Sequence, residues 1–179
     1  MRLFIAIKLP EDVKEELIKV QKEIGSEFAK IKWVNKEQMH LTLKFLGEVQ
    51  PDKVEEIINK LKTIKLESFT VFLGLIGVFP SENYIRVVWI GLKPEDKVLE
   101  LQKQIDEALS KLFKKEKDFK SHITLARVKY TEDKKQFLEQ LKKIKVENKK
   151  IEIKDFRLMK STLTPKGPIY EDLMVFSSN

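Results

Sequence analysis

The chain repeats its own plan. Ile7-Lys8-Leu9-Pro10-Glu11-Asp12 closes an apolar strand and opens a helix near the start, and Ile90-Gly91-Leu92-Lys93-Pro94-Glu95-Asp96 does the same near the middle. Proline suits a helix start because its missing N–H would have no partner there, and acids favour the positive end of the helix dipole. Each start leads into an apolar stripe at helical spacing: Val13, Leu17, Val20 and Ile24 first, then Val98, Leu101, Ile105, Ala108 and Leu112. Each stripe precedes a β-prone run, Met39 to Leu46 or Ser121 to Val128. A second amphipathic segment follows, marked by Val54, Ile57 and Leu61 or by Phe137, Leu141 and Ile144. A strand, helix, strand, helix unit performed twice predicts two similar lobes about a pseudo-two-fold axis, with equivalent strands meeting at a shared cleft.

The remaining extended runs are Phe69 to Phe79, Tyr84 to Leu92, Lys150 to Leu163 and Ile169 to Phe176, bounded by Pro, Gly and Asn turns. Hairpin-like pairs beside helices, outside strict alternation, predict an α+β fold with largely antiparallel sheets flanked by helices and a central cleft. No linker or low-complexity stretch separates the halves, so residues 1–179 read as a single bilobal domain.

The two β-prone runs carry the only two histidines, in the same frame: His40-Leu41-Thr42-Leu43 and His122-Ile123-Thr124-Leu125. Strand side chains alternate faces, so each imidazole shares a face with a threonine hydroxyl while the aliphatics take the other. Imidazole titrates near neutral pH, so one copy can serve as neutral base and another as charged acid. Threonine adds an uncharged donor. A lone histidine on a strand is usually structural; using both histidines identically points to chemistry at an anionic group held between them.

Strand parity sorts the neighbours. Lys44 has the parity to follow His40 and Thr42 into the cleft, although a lysine at a strand end is commonly solvated. Phe45 shares parity with Leu41 and Leu43, which assigns it to the core. Arg127, at an odd offset from His122, reaches the histidine face only if the strand ends, twists or bulges after Thr124. Trp33, Phe79 and Trp89 read as packing aromatics. Arg86 and Tyr170 suit either RNA contact or ordinary pairing.

Composition sets limits rather than a function. The absence of cysteine removes disulfides and thiolate metal sites and fits a reducing compartment. With two histidines in neither His-x-His nor His-x-x-x-His spacing, a histidine metal site is disfavoured. No glycine-rich nucleotide fingerprint is present. The opening apolar run is short and meets charge at once, and no run approaches a membrane span, so a cytoplasmic protein without a membrane partner is expected. The formal net charge of +7 suits an RNA or nucleotide partner, but lysine alternates with glutamate along the predicted helices and solvated faces explain much of it.

Taken together, Trp33-Val34, His40-Leu41-Thr42-Leu43-Lys44-Phe45-Leu46-Gly47, Gly77-Val78-Phe79, Arg86-Val87-Val88-Trp89, His122-Ile123-Thr124-Leu125-Ala126-Arg127, Ser161-Thr162-Leu163 and Gly167-Pro168-Ile169-Tyr170-Glu171 resemble the 2H phosphoesterase superfamily. The chain is most similar there to the RNA 2′,3′-cyclic phosphodiesterases, also called the 2′-5′ RNA ligase family. The resemblance spans essentially the whole chain. It implies metal-independent, cofactor-free hydrolysis of RNA 2′,3′-cyclic phosphate ends to 2′-phosphomonoesters, with tRNA fragments among the substrates. It further implies His40 as proton donor to the departing 3′ oxygen and His122 as base for water, an order the near-symmetric motifs do not choose. It places Thr42, Thr124 and Arg127 on the phosphate. Joining of a cyclic phosphate end to a 5′-hydroxyl as a 2′-5′ linkage, or non-catalytic binding of RNA terminal phosphates, would use the same residues. The natural RNA and the oligomeric state are not set by the sequence.

Overall fold

The computed structural model describes residues 1–179. Arg2–Lys8 (β1) carries five consecutive apolar residues between charged ends, and all five are buried. Such a run suits a strand covered on both faces. Leu3, Ile5 and Ile7 join the main core, while Phe4 and Ala6 join a small separate cluster with Met159. Glu11–Ile24 (α1) buries the expected stripe of Val13, Leu17, Val20 and Ile24 and ends at Gly25, whose φ of 61° a residue without Cβ adopts freely. Pro10 sits at the N-cap in extended conformation, one place earlier than a first-turn proline, and Glu11 and Asp12 fill the first turn.

The other elements are Ala29–Trp33 (β2), His40–Glu48 (β3), Val54–Leu61 (α2), Phe69–Ser81 (β4), Tyr84–Lys93 (β5), Asp96–Ala108 (α3), His122–Thr131 (β6), Lys134–Lys143 (α4), Lys150–Ile153 (β7), Asp155–Thr164 (β8) and Gly167–Ser177 (β9). They form one sheet in the order β3-β1-β8-β9 and another in the order β2-β6-β5-β4-β7. Every pairing is antiparallel. The fold is α+β with duplicated lobes, as the repeated plan predicts: β1 lies between β3 and β8 as β5 lies between β6 and β4. No helix is long and apolar enough to cross a membrane.

Two departures from the sequence expectation tie the lobes together. The run from Lys150 to Leu163 is two strands, not one: β7 pairs with β4 in one sheet, and after Lys154 the chain enters the other sheet as β8 beside β1. No Gly or Pro marks the change of sheet; its only local trace is a shift in the phase of alternation, from Ile151 and Ile153 before Lys154 to Phe156 and Leu158 after it. The second departure is β2, a strand of the first half that pairs with β6 of the second, Trp33 opposite Ala126. A single core of 38 buried residues then runs through both sheets and all four helices.

Polar side chains from helices fasten the same interface. Gln21 of α1 donates from Nε2 to the carbonyls of Val34 and Leu125, each at 2.9 Å. Reciprocally, Asp106 of α3 receives Lys44 of β3 at 2.5 Å, and Lys44 Nζ also donates to the Lys114 carbonyl at 2.6 Å. Lys44 is therefore neither solvated nor in the cleft; it is a buried cation with a buried partner. Removing one member of such a pair leaves an uncompensated charge and costs about 3–5 kcal/mol, whereas replacing both by apolar groups is close to neutral. Asp106→Ala should thus lower the unfolding free energy by an amount in that range, and the double variant Lys44→Met, Asp106→Leu should recover most of it. Urea unfolding of the three proteins checks both statements.

Candidate functional site

His40 and His122 are the first residues of β3 and β6, and the strands that carry them fold alike residue for residue. In both, the histidine and threonine are half-buried, the residue between them is fully buried, and the fourth and fifth positions are both buried. Two consecutive inward residues mark a β-bulge. Opposite β1, Thr42 pairs with Ala6 and Lys44 with Ile5, which leaves Leu43 unmatched. Opposite β5, Thr124 pairs with Trp89 and Ala126 with Val88, which leaves Leu125 unmatched. One extra residue reverses the facing of those that follow, as far as the next irregularity, at Leu46 in β3 and Lys129 in β6.

The reversal settles three side chains. Arg127, excluded from the histidine face by simple alternation, is turned onto it and lines the same cleft as His122 and Thr124. Phe45, assigned by alternation to the core, is 69% exposed and lines the cleft beside His40 and Thr42. Lys44, expected to follow the histidine, goes inward instead, where Asp106 meets it. The bulge is not announced by Gly or Asn, so regular alternation misplaced Lys44 and Phe45. Only the equal offsets of Phe45 and Arg127 from their histidines could have linked the two.

Both histidines and both threonines line one cleft of about 670 Å³ between the sheets. Arg2, Lys32 and Arg127 are in its lining, together with Gln38 and Ser161, and no Asp or Glu is. None of those three cations takes part in an ion pair. A cleft with unpaired positive charge and no carboxylate selects anions. No group of three His, Cys, Asp or Glu side chains is gathered closely enough to hold a metal ion.

Each imidazole is walled by aromatic rings. Phe4 stacks on His40 with centroids 5.0 Å apart, and Tyr170 meets it edge-on at 5.2 Å. Phe79 meets His122 edge-on at 4.9 Å, with Trp89 behind at 6.1 Å. Tyr170 and Phe79 are therefore part of the site, while Trp89 supports it. Gly77 makes room for that support: a Cβ there would fall 2.2 Å from the Trp89 ring. Arg86 lies outside the cleft lining, bonded to the Tyr84 hydroxyl and the Lys129 carbonyl.

This apolar surround fixes protonation. Burial pushes His40 down to about 4, with Lys14 adding to the effect and a hydrogen bond to the Gln38 backbone opposing it. Burial also lowers His122, opposed by its bond to the Lys120 carbonyl. A carbonyl only accepts, so in the 2.7 Å contact Nδ1 of His122 carries the proton. Neutral His122 consequently has its lone pair on Nε2. Tyr170 is held above the usual phenol range by burial, with Arg127 and Arg2 pulling it back. The cleft thus offers two neutral imidazoles, two hydroxyls and unpaired cations: the means to hold an anion and move a proton at either side of it.

Comparison with known proteins places this arrangement. The family described as LigT like Phosphoesterase matches the chain twice, over residues 7–89 and 90–170. The RNA 2′,3′-cyclic phosphodiesterase of Methanocaldococcus jannaschii is 46% identical over 173 residues, covering 96% of this chain and 97% of its own. The RNA 2′,3′-cyclic phosphodiesterase of Thermotoga maritima is 36% identical and covers 97% of this chain and 93% of its own. A crystal structure from Thermus thermophilus superposes with a TM-score of 0.80 at 31% identity, covering 99% of this chain and 97% of its own. That of E. coli LigT in apo form superposes with a TM-score of 0.79 at 24% identity, covering 99% and 96%, a likeness of fold.

The depressed His40 has a measurable consequence. Between about 6.5 and about 4 the unfolded chain binds a proton at His40 that the folded chain does not, so stability falls as pH drops through that window. The loss attributable to this ring amounts to up to about 3 kcal/mol by pH 4. Urea unfolding at pH 7, 5.5 and 4.5 should show a shallower decline in His40→Gln than in the parent protein. Equal slopes in the two proteins would count against a desolvated His40.

Proposed function

The chain belongs to the LigT-like phosphoesterase family, and from that membership we propose that it hydrolyses RNA 2′,3′-cyclic phosphate ends to 2′-phosphomonoesters, tRNA fragments among them. The carrying observation is the pair of half-buried imidazoles on matched bulged strands, lining one anion-selective cleft.

The chemistry follows from the protonation just described. A water beside phosphorus gives its proton to Nε2 of His122, whose Nδ1–H is already committed to Lys120. The resulting oxygen bonds to phosphorus, the P–O3′ bond breaks, and O3′ takes a proton from His40. The product carries a 2′-phosphate and a free 3′-hydroxyl, and solvent returns the two histidines to their starting states. Thr42 and Thr124 donate to the non-bridging oxygens and Arg127 offsets their growing charge, a role in which one well-placed donor is worth about 10²–10³ in rate.

His40 must be protonated to act as the acid, yet in the free protein its apolar walls hold it at about 4. The phosphodiester anion supplies the missing counter-charge, because a nearby negative charge favours imidazolium. Substrate binding therefore arms the acid, and protonation waits for the phosphate.

Each step has a test. His40→Ala and His122→Ala should each lower kcat by about 10²–10⁴ while leaving the circular dichroism spectrum unchanged. Arg127→Ala should cost about 10²-fold. Hydrolysis of an RNA ending in a 2′,3′-cyclic phosphate, with the product resolved as 2′-phosphate, 3′-phosphate or joined strand, tests the reaction itself; full activity in either histidine variant overturns the assignment. The pH profile should be bell-shaped, with the limbs of kcat at higher pH than those of kcat/KM, since the first reports the phosphate-bound cleft and the second the free one. Coincident limbs would rule out arming by substrate.

A further inference from the structure

Pairing of the strand cations differs from place to place: Arg2 and Lys160 of the sheet built around β1 form no ion pair, and Lys150 of the other sheet pairs with Glu152. In the sheet built around β1, Lys8 and Arg157 both bond to Asp172, and Arg157 also reaches Asp155. In the other sheet, β2, β5 and β6 contain no Asp or Glu at all. Their exposed cations, Lys30, Lys32, Arg86, Arg127 and Lys129, with Lys93 at the far end of β5, form no ion pair. Most surface lysines and arginines have carboxylates near them when both signs are interspersed, so a face with one sign only is a field left open for an anionic partner.

Register shows that these charges, Lys93 apart, make one band that begins in the cleft. Lys32 stands opposite Arg127, and both line the cleft. Two residues back along β2, Lys30 stands opposite Tyr130 on the same face. Lys129 occupies a second bulge of β6, between Val128 and Tyr130. Arg86 reaches across from β5 to the Lys129 carbonyl and lies over the Tyr84 ring at 5.5 Å. Tyr84 and Tyr130 are 59% and 56% exposed, although nearby Ile85 and Val128 are buried. With Lys129 bulged out, Tyr130 lies two paired positions beyond Arg127, roughly 7 Å at a strand rise of about 3.3 Å per residue. Cations interleaved with exposed aromatic rings suit a single strand whose phosphates and bases both need partners.

Building on the hydrolysis of cyclic phosphate ends, we propose that the outer face of β2, β6 and β5 is a track for single-stranded RNA, holding the nucleotides that precede the terminal cyclic phosphate. Lys30, Arg86 and Lys129 take backbone phosphates and Tyr130 takes a base. The enzyme then distinguishes an RNA end from a free cyclic nucleotide, because only the former reaches beyond the cleft. Non-specific strand binding of this kind is strongly dependent on salt.

The test uses the full chain, a fluorescent single-stranded RNA of about ten nucleotides ending in 2′-phosphate, and a 2′,3′-cyclic mononucleotide. The variant Lys30→Ala, Arg86→Ala, Lys129→Ala should bind the RNA more than about tenfold more weakly at low salt. Its log–log salt slope should be shallower by about 2, since each phosphate that a cation no longer neutralises removes about 0.7 on a single strand. Tyr130→Ala should weaken RNA binding about fivefold or more, yet leave binding of an abasic strand of equal length unchanged. Both variants should turn over the mononucleotide at the parental rate. Parental RNA affinity and salt slope in the triple variant would overturn the track, and so would an equal loss on RNA and mononucleotide. If no cyclic phosphate is hydrolysed by the parent protein, the proposed reaction fails while the binding measurements still decide the track.

Discussion

The structure turns on a single extra residue inserted twice. After Thr42 and again after Thr124 the strand holds one more residue than its partner, and the reversal that follows brings Phe45 and Arg127 to the cleft and sends Lys44 and Ala126 inward. A bulge loses regular ladder pairing, so it persists only where something else holds it. Here the support comes from the opposite half: Gln21 of α1 bonds the carbonyl of bulged Leu125, and Asp106 of α3 binds Lys44 beside bulged Leu43. The irregularity that aims the cationic side chain is thus anchored by the contact that joins the lobes. Site geometry and lobe packing are one constraint.

The aromatic walls show how the same residues set structure and reactivity. Phe4 is core material on the wrong side of its strand, packed with Ala6, Met159 and Tyr170 rather than with the main core. That small second cluster forms the floor under His40 and desolvates it. Trp89, accommodated by Gly77, does the same at greater distance behind His122. Low polarity around an imidazole weakens its hold on a proton but strengthens its interaction with any charge that enters. In the proposed reaction this is what makes the acid role of His40 depend on the phosphate being in place.

Much of this was legible in the sequence. The duplicated plan, the antiparallel α+β architecture and the helical stripes came from periodicity, because burial demands it at nearly every position involved. The convergence of His40, Thr42, His122 and Thr124 on one cleft came from the matched frames. What failed were inferences that extended a period through a bulge, placing Phe45 in the core and Lys44 toward the cleft. Alternation is a local rule, and the partner that overrides it for Lys44, Asp106, lies 62 residues away. The change of sheet at Lys154 left only a one-residue shift in the phase of alternation, Ile151 and Ile153 against Phe156 and Leu158, with no Gly or Pro beside it.

The loan of β2 from one half to the sheet of the other has a consequence for what the repeat has become. An ancestral half able to work as a symmetric pair would have needed every strand to find its partner within itself or its twin. In the present chain β2 has only β6 to bond, and the second sheet is closed at its far edge by β7, the lead-in to the strand that completes the first. Severed at the junction of the repeats, each piece would display raw sheet edges, the usual template for aggregation. The twofold look thus rests on halves that share strands, and neither sheet is completed by one half alone.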